Sequence, residues 1–341
     1  MLQRITIREY LSREPLLPVI DVRTSAEYDN GHIPGAVNIP LFSNEERARV
    51  GTVYTRESAE KAYALGYEFV EPKLDAFVAR SKGVADDGKV AVYCWRGGMR
   101  SKSFAEHIEA EGVQEVFVIE GGYKAFRQHA LETFQQPEKL HVLGGYTGSG
   151  KTRILHALRE QGEQVIDLEG IAHHKGSAFG AIGQPEQPKN EHFTNLLFWK
   201  WKSLDMNRPV WLEDESIHIG RVFIPEVLFQ RMRDAVVYFL EIPKAVRGHL
   251  LVEEYAGINA DMLVESVRKI SKRLGGKRTA EAMEALHQND YYHAALITLD
   301  YYDKFYEKGL SRRNPGKVVT ISSDTIDAVS NAERVLAKVR N

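Results

Sequence analysis

A single cysteine, Cys94, stands in 341 residues. One thiol can close no internal disulfide and build no cysteine-based zinc site, so a reducing cytoplasm is the expected compartment. No apolar run approaches the roughly 20 residues that span a bilayer. The opening stretch, Met1 to Glu9, lacks the apolar core of a signal peptide, and no membrane partner is expected. Neither sign of charge is in excess: 45 Lys and Arg against 47 Asp and Glu leave a net charge of −2. A polyanionic partner would therefore have to meet a local basic patch. Internal repeats and low-complexity segments are also missing. What remains is an ordinary globular composition, 43% hydrophobic and 27% charged, over a length that suggests two domains with a core each.

The cysteine lies where chemistry is expected. Val90 to Tyr93 reads as a buried parallel strand, and Cys94 follows it directly. The loop Trp95-Arg96-Gly97-Gly98-Met99-Arg100 leads into a helix expected from Ser101, with Phe104 and Ile108 on one face. Between a strand end and a helix start, backbone N–H groups and the positive end of the helix dipole favour an anion, be it a thiolate or a group delivered to it. Arg96 and Arg100 add fixed charge. Cys94, Arg96 and Arg100 are the candidate catalytic residues. The spacing Cys-x5-Arg alone leaves open sulfur transfer, cysteine-phosphatase chemistry and the use of a phosphate-bearing chalcogen donor.

A second motif follows a break in periodicity at residues 134–139, which contains Pro137. Placing a linker there gives domains over 1–133 and 140–341. Leu140 to Leu143 reads as a strand, and Gly145-x4-Gly150-Lys151-Thr152 then opens an amphipathic helix, the context a P-loop requires. Gly145, Gly148, Ser149, Gly150, Lys151 and Thr152 are the candidate phosphate-binding residues, with the Thr152 hydroxyl available to Mg²⁺. The strand Pro209 to Leu212 runs into Glu213 and Asp214, and Asp214 is the candidate metal-proximal acid. Strands near 164–169, 235–241 and 317–321 complete a parallel sheet. His173 and His174 are expected on a solvated loop. The apolar run Phe193 to Trp201 is expected in the core, or lining an apolar-ligand pocket. The stretch 268–278 holds six bases and no acid; Arg268, Lys272, Arg273, Lys277 and Arg278 are the candidates to contact a polyanion such as a nucleic acid. The tyrosine pairs at 291–292 and 301–302 are expected as core or rim. Residues 43–75 read as a long connection with a helix over 58–67, open to use as a lid or a partner surface, a solvated helix being the plainest reading.

Two family resemblances draw these segments together. Asp21-Val22-Arg23, then Glu27-Tyr28 through Gly31-His32-Ile33-Pro34-Gly35-Ala36 to Asn38, the Cys94 loop, and Glu120-Gly121-Gly122-Tyr123 resemble the rhodanese domain. The resemblance implies a doubly wound α/β unit with Cys94 as chalcogen carrier. Asp21, Arg23, Glu27 and His32 are expected to hold sheet ends and loops together, away from the cysteine loop. A rhodanese-like domain fused to a P-loop domain resembles, over essentially the full length, the tRNA 2-selenouridine synthases. That resemblance implies a fold of two doubly wound parallel-sheet domains, rhodanese-like and then P-loop NTPase-like. It implies an enzyme acting on tRNA with 5-substituted 2-thiouridine at the wobble position, exchanging sulfur for selenium through an S-geranyl intermediate. Geranyl diphosphate and selenophosphate would be the co-substrates, with Mg²⁺ a further candidate and a selenophosphate-producing enzyme a candidate partner. The alternatives are a rhodanese-type sulfurtransferase with an NTP-binding regulatory domain, and a nucleotide-binding module without covalent chemistry.

Overall fold

A computed structural model describes residues 2–255 and 257–340. By compactness the chain falls into two units. The first runs to Thr133 and also takes in Lys189–Trp199; the second comprises Phe134–Pro188 and Lys200 onward.

The first unit is built on a five-stranded sheet, all of whose pairings are parallel. Its strands are β1 (Gln3–Ile5), β2 (Val19–Asp21), β3 (Val37–Asn38), β4 (Lys89–Tyr93) and β5 (Glu115–Ile119), in the order β1-β5-β4-β2-β3. The run Val90 to Tyr93 is fully buried because β4 is central and covered on both faces. Val90, Val92, Val116 and Val118 pack with Phe104 and Ile108 of the helix Met99–Ala110 in one core.

Asp21 and Arg23 lie at the end of β2 with side chains wholly buried. The guanidinium meets both carboxylate oxygens, at 2.6 Å on the closer one, donates to the Gly31 carbonyl at 2.7 Å, and stacks 3.8 Å over the Tyr123 ring. This is the bracing role expected of the signature. Arg23→Met should cost about 3–5 kcal/mol, because it strands a buried carboxylate. Urea denaturation of the full chain measures it; an unshifted transition would show the pair to be dispensable.

Residues 43–75 are more structured than a solvated connection. Ser43 caps a helix over Asn44–Arg56, its hydroxyl accepting from the Glu46 N–H while Glu46 returns the bond to the Ser43 backbone. That Ser-x-x-Glu capping box was legible in the sequence and marks the helix start. A second helix, Ala59–Val70, packs against the first.

The segment 189–199 departs from a boundary drawn once along the chain at 134–139. In the helix Asn190–Trp201, Asn195 donates to the Tyr123 hydroxyl at 2.7 Å and to the His32 carbonyl at 2.9 Å, and accepts from Arg127. Phe198 meets the edge of Phe126. Phe193, Leu197 and Phe198 are buried as core.

The second unit holds β6 (Leu140–Gly145), β7 (Gln164–Val165), β8 (Val210–Glu213), a small hairpin of β9 (His218–Ile219) and β10 (Val222–Phe223), β11 (Val236–Glu241) and β12 (Val318–Ser322). The five-stranded sheet runs β12-β11-β6-β8-β7, again parallel throughout. Helices Lys151–Glu160 and Ala328–Arg340 pack Leu155, Leu158, Val335 and Leu336 into its core. Three further helices, Ala260–Leu274, Gly276–His287 and Tyr291–Leu310, share a separate apolar cluster. No helix among the described residues is long and apolar enough to cross a membrane.

Candidate active site

Cys94 is buried at the carboxyl end of β4, where ligands of open parallel sheets are expected. The helix after it begins at Met99, two residues earlier than its apolar pattern suggests, so Arg100 stands in the first turn. The Ser101 hydroxyl lies 3.2 Å from the Cys94 sulfur.

The Glu120-Gly121-Gly122-Tyr123 motif acquires a physical reason here. The N–H groups of Tyr123 and Lys124 donate to the Cys94 and Trp95 carbonyls at 2.9 and 3.0 Å. The two backbones touch. A Cβ on Gly122 would fall 2.2 Å from the Cys94 carbonyl oxygen, and one on Gly97 2.4 Å from that of Ile119, both at positive φ. Only glycine permits that approach, which clamps the cysteine loop in place.

Arg96 is exposed, while Arg100 is half-buried and paired to Glu27 at 3.1 Å. Glu27 therefore does not belong only to a distant bracing set: it reaches the cysteine loop and fixes an arginine of it. Burial opposes charge on Glu27, yet Arg100 and the Thr24 N–H outweigh burial and hold its carboxyl below the usual range. His32 matches the bracing expectation, stacked on Tyr28 at 3.7 Å.

A cavity of about 890 Å³ opens beside the cysteine, inside the first unit. Val50, Ala62, Gly66, Phe77 and Phe104 line it, and Cys94 forms part of its wall. Arg47, Arg96, Arg100 and Glu27 also border it. Eleven of the 25 lining residues come from the two helices over 44–70, which the sequence alone did not place at the site.

In the second unit the P-loop runs from the end of β6 into the helix Lys151–Glu160. Lys151 donates to the Gly145 carbonyl at 3.2 Å and lies 5.2 Å from the Tyr306 ring centre. Burial works against its charge, but Tyr306, Glu215 and Glu169 together raise its pKa. Thr152 donates to Glu169 at 3.1 Å. The buried Ser149 hydroxyl has no partner among the described residues. Glu215 and Glu169 are both pushed up by burial, Glu215 further by the neighbouring Glu169, while Lys151 pulls both down.

Asp214 takes a different place from the one expected of it. Its carboxylate pairs with Arg313 at 2.5 Å and lies 3.8 Å from Arg233. The acids that face Lys151 are Glu169 and Glu215. Strand-end acids alternate in direction, and nothing in the sequence of 213–215 tells which one turns toward the loop.

His174 is buried rather than solvated, and His173 meets the Glu186 carbonyl at 2.9 Å. The basic stretch is divided. Arg268, Lys272 and Arg273 are exposed on the helix Ala260–Leu274, which stops at Gly275. Lys277 and Arg278 open the next helix, where Arg278 pairs with Asp300 at 3.2 Å. Tyr302 is buried and accepts from the Ala178 N–H at 3.0 Å; Tyr301 packs on it and accepts from Arg273.

Comparison with known proteins agrees with both halves of this arrangement. Residues 6–129 match the rhodanese-like domain, and residues 138–335 match the tRNA 2-selenouridine synthase AAA domain. A tRNA 2-selenouridine synthase of Nitrosomonas europaea is 33% identical, with 87% of this chain and 90% of the relative covered. One from Shewanella woodyi is 36% identical over 87% and 89%. With a cysteine clamped on a rhodanese-like sheet, a P-loop on a second parallel sheet, and relatives matched along nearly their whole length, the chain belongs to the tRNA 2-selenouridine synthase family.

Proposed function

We propose that this chain is an enzyme that modifies the wobble uridine of tRNA, converting 5-substituted 2-thiouridine to 2-selenouridine in two steps. In the first, the thiocarbonyl sulfur attacks C1 of geranyl diphosphate. A carbon–sulfur bond forms, diphosphate leaves, and the base loses its N3 proton. In the second, selenophosphate is held at Cys94, whose thiolate takes the phosphoryl group and releases selenide; selenide replaces the S-geranyl group at C2, and water then frees phosphate from the sulfur. Over the whole second step water is consumed, and phosphate and geranyl thiol leave. Selenium begins and ends at the selenide level, so the net exchange needs no oxidant. Alkylation makes chemical sense because it turns a poor leaving group into a thiol.

The observation that carries this reading is the site around Cys94. A buried sulfur is set beside arginines suited to an anionic donor and beside an apolar cavity suited to a prenyl group. Arg96 and Arg100 would orient selenophosphate, with Glu27 holding Arg100. In the second unit the P-loop around Lys151 would take the diphosphate. Thr152 and Glu169 are the groups that would meet a Mg²⁺ ion accompanying it, a hydroxyl and a carboxylate being the oxygen donors this ion prefers. Arg268, Lys272, Arg273, Lys277 and Arg278 offer charge to the tRNA backbone.

Nucleoside mass spectrometry tests the sequence of events. tRNA bearing 2-thiouridine is incubated with the protein and both donors, then with each donor omitted in turn. A geranyl adduct in the absence of selenophosphate, converted to selenouridine when it is added, is the expected result. Unchanged tRNA with folded protein and verified donors would overturn the reading in favour of a sulfurtransferase.

A further inference from the structure

We propose that the cavity beside Cys94 seats the geranyl tail during the selenation step, so that the enzyme recognises its alkylated intermediate by the alkyl group itself. This rests on the reading above that an S-geranyl base enters that step.

The shape of the site points to a ligand with one reacting end and one long apolar end. About 890 Å³ lies within the usual range of ligand clefts, about 300–1,000 Å³. Val50, Ala62, Val70, Leu74, Phe77 and Phe104 contribute apolar wall. Charge enters the lining through Arg47, Arg96, Arg100 and Glu27, with Arg96 on the cysteine loop and Arg100, paired to Glu27, in the first turn of the helix after it. A branched ten-carbon chain has no polar group to satisfy such a wall. Its attachment point would lie toward the cysteine.

The helices over 44–70 give a second, independent observation. The first, Asn44–Arg56, buries none of its residues, and the second buries only Ala62 and Gly66. They add little to the core of their own unit. They nevertheless bring Tyr54, Tyr63 and Tyr67 to the cavity, at 64%, 57% and 51% exposure. Three large rings left open along one apolar cleft are the mark of a surface that a ligand covers. Tyrosine suits that task, since its ring packs on hydrocarbon while its hydroxyl stays in water.

Burial of each methylene favours binding by about 0.8 kcal/mol, close to a fourfold gain. A geranyl tail therefore distinguishes the intermediate from unmodified 2-thiouridine strongly, and the selenation step acquires its order from the pocket.

The test compares selenation of two synthetic tRNAs with selenophosphate, one carrying S-geranyl-2-thiouridine and one S-methyl-2-thiouridine. Wild-type protein should favour the geranyl substrate in kcat/KM by at least about 100-fold. Ala62→Phe, which fills the cavity, and Ala59→Trp, at an exposed position of the same lining, should each lower kcat/KM for the geranyl substrate by about tenfold or more and leave S-methyl turnover within about twofold. Similar wild-type values for both substrates would overturn the proposal, as would equal losses on both in folded Ala59→Trp. If Ala62→Phe fails to fold, Ala59→Trp decides. Selenation of neither substrate by wild-type protein is a different result: it would overturn the two-step reading itself.

Discussion

Replacing Cys94 by serine is expected to abolish selenation while leaving geranylation in place. Serine keeps the size of the side chain and its place beside the Ser101 hydroxyl, but an alcohol neither ionises near neutral pH nor attacks the phosphorus of selenophosphate as a thiolate does. Loss of a nucleophile commonly costs three orders of magnitude or more, and a fall of at least about 10³-fold in selenation is expected. The measurement uses tRNA that has already been geranylated, so that the second step is read alone, and 2-thiouridine tRNA with geranyl diphosphate for the first. A thermal melt confirms that the variant is folded. If both steps fail in folded Cys94→Ser, the cysteine serves alkylation as well, and the division of labour between the two units is wrong.

The second large effect is expected at Lys151. Lys151→Ala should lower geranylation by about 10²–10³-fold, the loss that follows removal of one electrostatic stabiliser of a leaving oxyanion. Selenation of pre-geranylated tRNA should stay near the wild-type rate. Lys151 is held charged, against burial, by Tyr306, Glu215 and Glu169, so an anion bound at the loop meets a full positive charge. Without the lysine, Glu169 and Glu215 lose the cation that opposes the upward push of burial on both carboxyls. Intact geranylation in the variant would assign the P-loop to another phosphate, and loss of selenation alone would reverse the roles assigned to the two units.

These two experiments and the alkyl-chain comparison probe separate parts of the molecule. Cys94 is read by the second step, Lys151 by the first, and the residues at 59 and 62 by discrimination between alkyl groups within the second.

Much of this was written in the order of the residues. Val90 to Tyr93 before Cys94, and Leu140 to Leu143 before the glycine-rich loop, are local patterns: a short apolar run, a turn and a helix start lie next to one another in the chain, and strand, loop and helix follow from them. The two parallel sheets, the cysteine at a strand end and the lysine at a helix N-terminus needed no knowledge of distant contacts. The pairing of Asp21 with Arg23 was legible for the same reason, since the partners are two residues apart.

Tertiary structure decided what depends on residues far apart in sequence. It turned Asp214 toward Arg313, 99 residues away, and left Glu169 and Glu215 facing Lys151. It drew Glu27 to Arg100 across 73 residues, giving a bracing residue a place in the cysteine site. It returned 189–199 to the first unit through Tyr123 and Arg127. Above all, it made the cavity. Two helices from a stretch read as a connection with one helix of open role come to line an apolar space with Cys94 in its wall, because a void is defined by walls drawn from several segments and no single segment carries its imprint. Local order along the chain therefore determined the fold class and the chemical groups, whereas the choice among acids and the seat for an apolar ligand arose only when distant segments packed together.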